Sequence, residues 1–193
     1  MKLPKHIRKM TREETVSEIV LLNKKITEFW KSSSGWSPID AAELLSKSRL
    51  DRQVSLSKSL ILWEEPKDEG MSDGMLILAW ANLGALVEGS LKWFLSVYFE
   101  DYKNDVNKLK KDPDGVTLNP LRLYFKKSVW TENDDYDEWV LSVQTHRNSI
   151  HAYQDKNIGD WQGYHLKVKE YLVFLSNLDS RVPYPDEMQY DCT

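Results

Sequence analysis

The sequence predicts an all-α protein, a helical bundle with one long central helix and extra helices ahead of it. Three observations predict it. Helix-start signals recur along the chain, apolar residues recur at helical spacing in its longest patterned segments, and no stretch alternates as a strand would. No internal repeat is present, and no heptad run is long enough for a coiled coil.

The elements follow in order. Thr11 and Glu14 form a capping box, in which each side chain satisfies a backbone N–H left orphaned by the first turn. A helix over about 12–31 follows, ended by Ser32-Ser33-Ser34-Gly35. Asp40 and Glu43 repeat the box, with Ile39 and Leu44 placed as a hydrophobic staple, and predict a helix to Trp63 or Glu64 before the break from Pro66 to Gly70. Asp73 opens the longest pattern, Gly74 to about Tyr102, with Leu76, Leu83, Val87, Phe94 and Tyr98 on its apolar side. On the other side Ala81, Ala85 and Gly89 form a ridge small enough for a second helix backbone to approach, so this is the expected central helix.

A polar connection over Lys103 to Asn119 holds a turn at Asp112-Pro113-Asp114-Gly115. Asn119-Pro120 then starts a short helix to about Lys127, with asparagine as cap and proline where its missing N–H is not needed. Further helices are expected over about Asp134–Gln154 and Asp160–Ser180, the last with the stripe Trp161, Tyr164, Val168, Tyr171, Leu175 and Leu178. Pro183 and Pro185 end regular structure. The expected organisation is an N-terminal helical extension (1–72), a helical core (73–182) and an irregular tail (183–193).

The 26 Lys+Arg against 30 Asp+Glu make a mildly acidic protein, which argues against binding duplex DNA through a broad basic face. The lone Cys192 permits no intramolecular disulfide and no cysteine-based zinc site. With a charged start lacking an apolar signal core, and no run approaching about 18 apolar residues, the expected setting is cytoplasmic, with no membrane association.

One segment carries chemistry: Arg147-Asn148-Ser149-Ile150-His151. On a helix at ~100° per residue, Arg147 and His151 continue the stripe of Tyr136, Val140 and Val143, within about 20° of Val140. A cation and an imidazole thus stand where an amphipathic helix carries Leu or Ile. A guanidinium there needs an acidic partner, a solvated cleft or a symmetry mate, because burying it unpaired costs several kcal/mol. Residues four apart on a helix can address one phosphate together, with Asn148 steadying the site by hydrogen bonding.

This segment, late in an all-helical chain and followed by one more amphipathic helix, resembles the Arg/His signature of the HEPN superfamily. The segment Leu86-Val87-Glu88-Gly89-Ser90-Leu91-Lys92 is similar to that family's first core helix, so the likeness covers about 73–182. The usual family pattern spaces its Arg and His more widely than the three intervening residues here. The resemblance implies a homodimer and a metal-independent endoribonuclease of toxin or defence type, without cofactor, acting on RNA and open to control by a protein antitoxin. His151 would move the proton of an attacking ribose 2′-hydroxyl, and Arg147 would stabilise charge on the phosphate. The family also contains non-catalytic modules, so the alternative is a dimeric helical module binding a nucleotide, RNA or protein partner.

Other residues carry plainer readings. Arg147 and His151 could form a structural pair, satisfied by an acid and a backbone carbonyl. Glu88 is read first as pairing with Lys92, and second as the partner of Arg147. Arg122, Lys126 and the Lys108–Lys111 run could contact RNA phosphates, but read first as charged surface. The eight tryptophans read as core and interface packing, and His6, His146 and His165 do not converge on a metal site.

Overall fold

A computed structural model describes residues 1–132, 134–151 and 155–184. Its elements are α1 (Lys5–Lys9), α2 (Arg12–Trp30), α3 (Ile39–Lys47), α4 (Leu50–Ser59), α5 (Ser72–Val97), α6 (Phe99–Asn104), α7 (Leu118–Ser128), α8 (Tyr136–Arg147) and α9 (Trp161–Ser180), with short 3-10 turns between them. No strand occurs among the described residues, so the all-α bundle is the observed fold.

Central helix α5 is buried along most of its surface and packs against α3, α4, α7, α8 and α9. Leu83, Leu86, Val87 and Leu91 are fully enclosed, each stabilising the fold by roughly 1.5–3 kcal/mol relative to exposure. Polar bonds add register: the Ser90 and Tyr171 hydroxyls meet at 2.9 Å between α5 and α9, and Trp139 Nε1 donates to Glu170 Oε2 at 3.0 Å between α8 and α9. Helix α2 lies against α4 and α9, so Ile19, Ile26 and Trp30 share one core with the later helices. Glu69–Val97 is also long and apolar enough by composition to cross a membrane, an exception to the expectation that no such run exists. Here that apolar surface is mostly covered by the other helices.

The capping box at Thr11 and Glu14 forms as expected, and Asp160 caps α9 through Gly163 N at 2.6 Å. The helix expected over 40–64 is instead two. The chain leaves helical geometry at Ser48 and Arg49, which lets α3 lie on α5 and α6 while α4 lies on α2 and α5. Its expected box is absent, because Pro38 occupies the cap, Ile39 is exposed, Asp40 pairs with Lys103 at 2.5 Å and Glu43 pairs with Lys47. Helix α5 stops at Val97, where Tyr98 breaks the geometry and its hydroxyl donates to the Arg181 carbonyl before α6 resumes.

Helix α7 begins at Leu118, two residues before the expected start, and Asn119 is not its cap. The reason is tertiary: the Leu118 N–H is satisfied from α5, by Glu88 Oε2 at 3.1 Å. Most tryptophans are buried as expected, although Trp36 is partly exposed. Gln154, Pro185 and Cys192 lie outside the described residues.

Candidate functional site

Helix α8 ends at Arg147, earlier than the sequence pattern suggests. Asn148 and Ser149 are poor helix formers because their short polar side chains compete for backbone bonds. A 3-10 turn over Asn148–Ile150 takes over, and His151, with φ −82° and ψ 61°, has left helical geometry. The expectation that Arg147 and His151 stack one turn apart on a continuous helix is therefore corrected. His151 is exposed at the end of the turn, and its imidazole has no partner among the described residues.

Arg147 reaches back across α5. Its aliphatic stem lies over Gly84, where an added Cβ would stand 2.7 Å from both Cγ and Cδ. Its guanidinium meets Glu88 Oε2 at 3.4 Å, one helical turn along α5 from that glycine. Glu88 also receives Lys92 Nζ at 2.9 Å and caps α7, so both sequence readings of Glu88 hold together. Two cations thus share one carboxylate, which leaves a surplus of positive charge. Arg147 is one-third exposed, and its remaining donors find no partner among the described residues.

Two glycines of α5 take close approaches, and one of them, Gly89, lies on the predicted ridge. The ridge of Ala81, Ala85 and Gly89 is half-buried, and Gly89 receives the Gln53 side chain, whose Nε2 donates to Leu86 O at 3.0 Å. Gly84 is the position where Arg147 needs the space, and its signal was the Gly-to-Glu spacing of one turn.

The following segment is tied back to the same place. Trp80 stacks on His146 with ring centroids 4.3 Å apart and donates from Nε1 to Ile158 O at 2.8 Å. Gly159 adopts φ +68°, which suits glycine, and accepts a close approach of His146 Nε2. Lys156 Nζ donates to the Asn148 carbonyl at 3.3 Å, so Asn148 steadies the turn through its backbone, while its side chain has no partner among the described residues. Lys156 was missed because it sits in a polar stretch without periodicity.

Arg122 and Lys126 are placed differently from the RNA contacts considered for them. Arg122 is buried in an ion pair with Asp137, and Lys126 reaches the same carboxylate at 2.7 Å, so both hold α7 to α8. The basic Lys108–Lys111 run lies around Tyr102, whose hydroxyl donates to Lys111 O at 2.7 Å. Among the described residues, no three His, Cys, Asp or Glu side chains gather as metal ligands.

Compared with protein-family models, with curated proteins and with solved structures, the chain matches none.

Proposed function

We propose that this protein is a metal-independent endoribonuclease of the HEPN type, acting in the cytoplasm as a homodimer. The observation that carries the proposal is Arg147: a guanidinium braced by Glu88 over Gly84, with surplus positive charge and uncommitted donors, four residues from an exposed imidazole.

In this reading the Arg147 guanidinium holds the non-bridging oxygens of one phosphodiester and stabilises the charge that builds as phosphorus becomes five-coordinate. His151 accepts the proton of the adjacent ribose 2′-hydroxyl as its oxygen attacks phosphorus. The bond from phosphorus to the 5′-oxygen breaks, and that oxygen takes a proton from the second copy's imidazole. The products are a 2′,3′-cyclic phosphate and a 5′-hydroxyl.

The departure of His151 from the helix favours a second reading, a non-catalytic dimeric module that binds phosphate through Arg147 alone. Cleavage of a labelled mixed-sequence RNA in EDTA separates them. Wild-type cleavage ending in cyclic phosphate, lost in folded Arg147→Ala and His151→Ala variants, is the expected result. RNA binding without cleavage, weakened by Arg147→Ala and unchanged by His151→Ala, supports the module. Sedimentation of the wild type as a monomer at micromolar concentration contradicts the dimer in both.

A further inference from the structure

Beside the Arg147 turn lies a second feature that the proposed cleavage step does not use. A cleft of about 380 Å³ runs between the first turns of α5 and the segment after the turn. Asp73 and Ile77 form one wall, and Asp155, Lys156 and Ile158 form the other. Ser149 closes it from the middle of the motif. This volume lies within the range of small-ligand sites, about 300–1,000 Å³.

Asn157, which also lines the cleft, is committed through Oδ1 to the Gly159 N–H at 2.8 Å, while other polar groups keep unused capacity. Ser149 is 2% exposed, yet its hydroxyl has no hydrogen-bond partner, and buried hydroxyls in native proteins are rarely left so. Neither the Asp73 nor the Asp155 carboxylate has a partner among the described residues. Lys156 spends one donor on the Asn148 carbonyl and keeps the others. Two isoleucines give apolar surface against which a flat ring can lie.

Carboxylates beside a site for a polyanion repel phosphate, so this cleft suits a different part of the substrate. Among the nucleobases, guanine presents two adjacent donors, N1–H and the 2-amino group, that one carboxylate accepts as a pair, while its O6 accepts from an ammonium. Adenine places an acceptor at N1 and uracil lacks the amino group, so each leaves a carboxylate facing an acceptor or nothing. We infer that this cleft reads a guanine base, through Asp73 or Asp155 at its donor edge and Lys156 at O6. The inference rests on the nuclease reading for its place in an RNA chain, but the recognition of guanine does not require cleavage.

Nuclear magnetic resonance titration of the full chain with GMP, IMP, AMP, CMP and UMP tests recognition alone and reads weak binding. GMP should perturb the Trp80 and Trp161 indole signals and bind at least about tenfold more tightly than AMP or UMP, with IMP between them because it lacks the 2-amino group. Asp73→Asn and Asp155→Asn, each checked for an unchanged melting temperature, should show which carboxylate carries the preference by its loss in one of them. Equal binding of GMP and AMP, no binding of any nucleotide, or a guanine preference intact in both variants overturns the inference. Mapping cut sites on a mixed-sequence RNA separates a base within RNA from a free nucleotide. Cuts beside guanosine place the base in the RNA substrate. GMP binding without cleavage keeps the guanine site and removes the nuclease, whereas cleavage indifferent to base removes the guanine site and keeps the nuclease.

Discussion

The clearest single-residue dependence is Arg147 on Gly84. Glycine to alanine inside a helix ordinarily stabilises by about 1 kcal/mol. At Gly84 the added methyl would meet the Arg147 stem at 2.7 Å, so Gly84→Ala should fail to raise the melting temperature and should weaken RNA binding or cleavage as Arg147→Ala does. Glu88 serves three partners, so Glu88→Ala leaves the Arg147 guanidinium and the Leu118 N–H without their acceptor and Lys92 with the Asp114 carbonyl alone. Urea denaturation should register a loss of about 1–3 kcal/mol. His165 on α9 supplies a pH dependence. Burial lowers its pKa below the usual 6.5, assisted by Arg12 and Lys169 and opposed by Glu65. Between the folded pKa and 6.5 the unfolded chain binds more protons, so stability falls as pH drops below about 6.5. Thermal melts of wild type against His165→Gln should show that decline reduced in the variant.

At the scale of elements, caps and breaks decide where side chains point. Asp160 accepts the Gly163 N–H and starts α9, the helix whose apolar stripe closes the core, and Asp160→Ala should cost ~1 kcal/mol in chemical denaturation. The end of α8 at Arg147 matters more for chemistry. It turns His151 away from the helical stripe and leaves Ser149 buried at the wall of a cleft. The stripe that predicted Val140 and Val143 as buried was correct for both, and it failed only where Asn148 and Ser149 interrupt the helix. The division of the 40–64 segment into α3 and α4 has a similar character. Its polarity pattern permits one helix, but two different partners, α6 and α2, each claim a half.

At the scale of the whole molecule, the helices before residue 73 are built into the core. Trp30 and Ile19 are almost fully buried, Trp30 lies 6.4 Å from the Trp93 ring, and α2 packs on α9. A fragment comprising 73–193 should therefore expose the α5 and α9 surfaces that α2 and α4 cover. It should lose the cooperative unfolding transition of the full chain when followed by circular dichroism; a fragment that unfolds cooperatively at the same denaturant concentration would show the N-terminal helices to be dispensable.

The sequence by itself determined the all-α class, the central helix and the capping box at Thr11, because each rests on spacing or side-chain type within a turn or two. Tertiary structure alone decided that Glu88 joins Arg147, Lys92 and the start of α7, that the Arg147 stem lies on Gly84, and that Arg122 belongs to Asp137. Such partners lie far apart in the chain, and several geometries share one local pattern. Only packing around α5 selects among them, since a buried guanidinium must find its carboxylate wherever the fold places one.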